Sequence, residues 1–94
     1  MGQEGKTAKV QDLCVHLQMA HRCWQRGKKD MFKGEIATAY DLVRGFISGD
    51  DTSIIQENLQ KVEQAAQQEN GAEVALGLSR ALGRAERMIR LGKY

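Results

Sequence analysis

The chain has 94 residues, 41% of them apolar, and 14 basic against 12 acidic side chains give a net charge of only +2. Such a length holds one domain with a modest core, and a charge so close to balance excludes a nucleic-acid tether that works through net charge alone. Proline is absent, aromatics are 5%, and Ala, Gln, Glu, Leu, Lys and Arg dominate, which favours helix over sheet.

Residues 1–6 read as a flexible N-terminus. Met1–Val10 carries no apolar h-region, and Lys6 stands where an N-myristoylation motif wants Ser or Thr. No apolar run approaches the roughly 20 residues of a membrane span. The expected setting is cytoplasmic and reducing, with no membrane partner.

The first helix is expected over 7–26, TAKVQDLCVHLQMAHRCWQR, capped by Thr7 and ended by Gly27. Val10, Leu13, Leu17, Ala20 and Trp24 follow each other at steps of three and four, as one side of a helix requires. A second apolar row, Val15, Met19 and Cys23, runs roughly opposite. A helix with two rows is either central in its fold or keeps one row for a partner. The second helix, 31–48, begins after Asp30 and buries Phe32, Ile36, Ala39, Tyr40, Val43, Phe46 and Ile47. Gly34 and Gly45 weaken it by about 1 kcal/mol each relative to Ala and mark a late start or a close approach. Gly49-Asp50-Asp51 is a turn, and Thr52 or Ser53 caps a third helix over 53–69. That helix is thin in apolar residues: Ile55, Leu59, Val62 and Ala66. Asn70, with Glu73 three residues on, opens a fourth helix over 71–91, whose apolar face is Val74, Leu78, Ala81, Leu82, Ala85, Met88 and Ile89 and which Gly92 stops. Four helices with short joints close most simply as an all-α, antiparallel up-and-down four-helix bundle, a single unit over 7–94.

Chemistry-bearing groups are few. Cys14, His16, His21 and Cys23 have an inviting spacing, C-x-H-x4-H-x-C. With Leu17 at zero, Cys14 and His21 point to about +60° and +40°, while His16 and Cys23 point to about −100° and −120°, so the four cannot converge on one tetrahedral ion. No metal, no cofactor and no catalytic residue is expected. There is no phosphate loop, Ser/His/Asp grouping or paired-carboxylate pattern, and neither histidine has the surroundings of a phosphotransfer site. Arg22, Arg26, Lys28, Lys29 and Lys33 gather at the first joint beside Trp24 and Phe32, and Arg80, Arg84 and Arg87 line one side of the last helix. Both sets could meet phosphates, but the two aromatics fall on core stripes and the arginines alternate with Glu73 and Glu86 on a solvated face.

The remaining candidate is the row Val15, Met19 and Cys23, read as part of a groove for a partner helix or an extended segment. A bundle with one poor helix leaves such a groove partly open or completes its core by dimerising. The order of segments GKKD, KGEIATAYDLVRGF, SIIQENLQKVEQAA and ENGAEVALGLSRAL, with a Thr-Ala before the first helix, the Ile36, Ala39, Leu42 and Val43 pattern and Asn58-Leu59, resembles the flagellin export chaperones (FliS) from Thr7 to Arg87. Leu13-Cys14-Val15-His16 stands where that family carries Leu-Tyr-Asp-Gly, so no contact residue is carried over. The resemblance implies a small helical bundle that shields a disordered segment of an export substrate. The expected function is therefore non-catalytic binding of another protein as a chaperone or adaptor. A nucleic-acid regulator using the basic patches, and a self-associating structural protein, are the alternatives.

Overall fold

The computed structural model describes residues 2–46 and 49–92, with side chains from residue 7 onward. Four α-helices account for almost all of it, and no strand occurs among the described residues: α1 (Gly2–Gln25), α2 (Lys29–Arg44), α3 (Asp50–Gln67) and α4 (Gly71–Leu91). The fold is all-α, 41 × 21 × 18 Å in extent.

The helix limits follow from local chemistry. α1 begins at Gly2, not at Thr7: no proline or strong cap interrupts the first residues, and Gln3, Glu4 and Lys6 are good helix formers. Residues 2–6, within the segment expected to be flexible, are helical in their backbone. α1 ends in a Schellman turn, with the Lys28 amide donating to the Cys23 carbonyl at 2.9 Å, the Gly27 amide to the Trp24 carbonyl at 3.1 Å, and Gly27 left-handed at φ 73°. α2 starts at Lys29, two residues before the expected limit, and stops at Arg44, where Gly45 and Phe46 turn away. The further turn expected through Ile47 and Ser48 lies outside the described residues. α3 starts at Asp50, earlier than Thr52 or Ser53 capping implies. Thr52 sits instead in its first turn and reaches back, accepting from the Gly49 amide at 2.9 Å. Asn70 caps α4 by accepting from the Glu73 amide at 3.3 Å, and Gly92 ends it at φ 65°.

Val10, Leu13, Leu17 and Ala20 of α1 are buried, as are Phe32, Ile36, Ala39 and Val43 of α2, Ile55, Leu59, Val62 and Ala65 of α3, and Val74, Leu78, Ala81, Ala85 and Met88 of α4. These side chains form one apolar cluster. The buried amide of Asn58 is satisfied by its own helix, donating to the Ile54 carbonyl at 2.9 Å. α1 packs on both α2 and α4, and α3 packs on α4, whereas α2 and α3 touch far less. The close approach lies between α3 and α4. A Cβ added at Gly77 would stand 2.5 Å from Val62 Cγ2 and 3.3 Å from the Asn58 carbonyl oxygen. Gly34 has open space around it and Gly45 lies in the turn after α2, so the glycine that packing demands is one the helical pattern of α4 had concealed.

Candidate functional site

Because α2 and α3 separate, a cleft of about 670 Å³ opens between them. The cause is in the sequence of α3. Its core stripe faces α4, and toward α2 it offers Glu63, Ala66 and Gln67, too short or too polar to fill the space. α2 supplies the opposite wall with an unbroken run at helical spacing: Lys29, Phe32, Lys33, Ile36, Ala37, Tyr40, Asp41 and Arg44. Trp24, at the end of α1, closes one end. Its ring centroid lies 5.2 Å from that of Phe32 at an interplanar angle of 56°, a tilted aromatic pair. The indole also edges the start of α4, since a Cβ at Gly71 would lie 3.3 Å from Trp24 Nε1.

Polar groups frame this cleft. At the Trp24 end, Lys29 Nζ donates to Glu69 Oε1 at 2.6 Å, joining the start of α2 to the turn after α3. The bond holds the Glu69 carboxyl below the usual carboxylate range, although both side chains are exposed. Glu69 is the one described non-glycine residue with positive φ, at 55°. It takes the left-handed place in a second Schellman turn, in which the Asn70 amide donates to the Ala65 carbonyl at 2.9 Å. The equivalent place after α1 is held by Gly27. A left-handed non-glycine residue costs roughly 1–2 kcal/mol, so the rim carboxylate is kept against the backbone's preference. Further along, burial and then the Glu63 carboxylate push the Tyr40 phenol up to about 12.

The row Val15, Met19 and Cys23 does not stay together. Val15 and Met19 are 48% and 39% exposed, but Cys23 is 8% exposed and belongs to the core. Trp24, expected in the core, is only partly buried and lines the cleft. Cys14 is half-buried, and burial followed by the Glu86 charge pushes its thiol pKa up. His16 Nδ1 is bonded to Glu35 Oε2, tying α1 to α2. No cluster of three or more metal-ligating side chains occurs among the described residues. No described helix is long and apolar enough to cross a membrane.

The basic patches are partly committed. Arg84 and Arg87 converge on Asp51 of α3, at 3.3 and 3.5 Å, while Arg80 remains exposed. Arg22, Arg26, Lys28 and Lys33 are exposed around the first joint, and Lys29 is paired with Glu69. Met19→Asp tests the exposed part of the α1 row: its unfolding free energy from urea titration should stay within about 0.5 kcal/mol of the parent's, as for surface substitutions. A loss of several kcal/mol would place Met19 in the core. Comparison with protein-family models, curated proteins and solved structures gives no match for this chain.

Proposed function

We propose that the chain is a non-catalytic protein-binding module, a small chaperone or adaptor, and that the α2–α3 cleft receives a segment of its partner. One observation carries this: a largely apolar cleft, floored by Phe32 and Ile36 and lined by the partly buried Trp24 and Tyr40, runs the length of α2 on the side where α3 touches it only sparsely. Large aromatic and aliphatic groups supply the burial energy of an interface, and a charged rim tunes its partner choice. The helices are best arranged as an antiparallel up-and-down bundle. Contacts pair residues at opposing positions, Trp24 with Phe32, His16 with Glu35, and Asp51 with Arg84, as antiparallel neighbours require. The α2–α3 cleft is then the loosened seam of that bundle. The resemblance to flagellin export chaperones agrees with such a role without naming the partner.

Ala66→Phe is the test. Ala66 lies on the cleft side of α3, partly buried, with open volume before it. Filling that volume should leave stability within about 1 kcal/mol, since no packed neighbour is displaced. A photo-cross-linking side chain placed at Ala37 should give a discrete protein adduct in cells of the source organism, and Ala66→Phe should reduce it at least about tenfold. Adducts from position 19 instead would move the site to α1. Adducts with nucleic acid alone would replace the reading with phosphate binding through the basic side chains, which weakens steeply with salt.

A further inference from the structure

We infer that the cleft takes an amphipathic α-helix carrying acidic residues along one flank and basic residues along the other, and that the cleft fixes the direction in which that helix lies. This deepens the protein-binding reading and rests on it. The α2 wall carries three cations, Lys29, Lys33 and Arg44, and one anion, Asp41, whereas the opposite wall carries only the anions Glu63 and Glu69. Two of the cations are engaged, Lys29 with Glu69 and Arg44 with Asp41. Lys33 makes no ion pair among the described residues.

The form of the occupant follows from the wall. Its positions recur at three and four residues over the whole of α2, which has 16 residues and so spans about 24 Å. A matching ligand is elongated and repeats its own apolar groups at that spacing, which is a helix of about four turns. Such a helix laid between oppositely charged walls meets a cationic side and an anionic side. Turning it end for end exchanges its flanks. Opposite flank charges therefore select direction, as e and g charges do in coiled coils, whereas two like flanks meet repulsion on one wall in either direction. A second copy of this chain is a poorer occupant. Its exposed apolar groups on helices, Val15, Met19, Met31, Leu76 and Leu91, are scattered over three helices and form no four-turn stripe.

Synthetic helical peptides of about 16 residues test this, each with leucines at i, i+4, i+7 and i+11. One has Glu on one flank and Lys on the other, one has these flanks exchanged, and two have both flanks Glu or both Lys. Each carries a nitroxide quencher at its N- or C-terminus. Trp24 is the sole tryptophan and stands at one end of the cleft, so quenching reads direction. The two mixed peptides should bind equally and quench from opposite termini. The two uniform peptides should bind about tenfold more weakly at low salt, a difference that shrinks as salt screens the rim. Ala66→Phe should abolish all binding. Equal affinity of all four peptides, or quenching from the same terminus by both mixed ones, overturns the directional inference while leaving the cleft a protein site. Failure of every peptide to bind removes the cleft reading itself. A dimer in sedimentation that Ala66→Phe dissociates gives the cleft to a second copy and overturns the inference as well.

Discussion

Gly77→Leu should be among the most damaging single substitutions in this chain, lowering stability by about 3 kcal/mol or more. The argument is geometric. Even the first carbon of the new side chain would fall 2.5 Å from Val62 Cγ2, closer than such atoms approach, with the Asn58 carbonyl oxygen at 3.3 Å on the same side. Val62 is fully buried and β-branched, so its χ1 is held by its own helix and it has nowhere to turn. α3 and α4 must separate, and they form the tightest pair in the fold. For a chain of this length such a loss lowers Tm by on the order of 10–20 °C. Gly77→Ala separates the causes. Helix propensity alone would favour alanine by about 1 kcal/mol, so a net loss measures the clash directly. Gly83→Ala is the control, because a Cβ there meets nothing within 4 Å, and it should stabilise by roughly 0.5–1 kcal/mol. Adding Val62→Ala to Gly77→Ala should recover part of the loss, with a coupling of roughly 0.5–3 kcal/mol. Simple additivity of the two, or a stabilised Gly77→Ala, would place α3 and α4 further apart than the structure has them.

Gly77 also shows what the sequence can and cannot state. Periodicity identifies the core stripes well, because each is a property of one helix: Val10, Leu13, Leu17 and Ala20, or Phe32, Ile36, Ala39 and Val43, are all buried. Caps at Asn70 and Gly92 are legible for the same reason, since a cap is a conversation among neighbours in the chain. The cleft is a property of two helices. The thinness of α3 was visible and implied an opening, but which neighbour would stand away from it was not. Cys23 lies only about 80° around the helix from Leu13, at the edge of the main stripe and not opposite it, and it is buried because α1 packs on two helices and needs a wider apolar arc than one stripe. Glu69 left a different kind of trace. Its place after α3 suits glycine, and only the backbone angle shows that a carboxylate has been kept there.

Phe32→Ala is expected to cost about 3–5 kcal/mol, the usual range for truncating a buried phenylalanine. Phe32 is 2% exposed, belongs to the central cluster and carries Trp24 against its ring. Chains of this size hold only about 5–14 kcal/mol in total, so the variant should be marginally folded at 25 °C. Its urea midpoint should fall steeply with little change of slope, since the surface exposed on unfolding is nearly the same. Phe32→Leu keeps most of the volume and should lose only about 1.5 kcal/mol, much of it the aromatic pairing with Trp24. That pairing can be measured, because Trp24→Leu combined with Phe32→Leu should cost less than the two single losses together. The same residue sets a limit on how the cleft is probed. One side of the Phe32 ring supports the core and another lines the opening, so removing it damages fold and site together. Ala37 and Ala66 face the opening without supporting the core to the same degree, which is why the binding tests rest on them. An unchanged midpoint in Phe32→Ala would remove Phe32 from the core, and with it the floor on which the cleft is built.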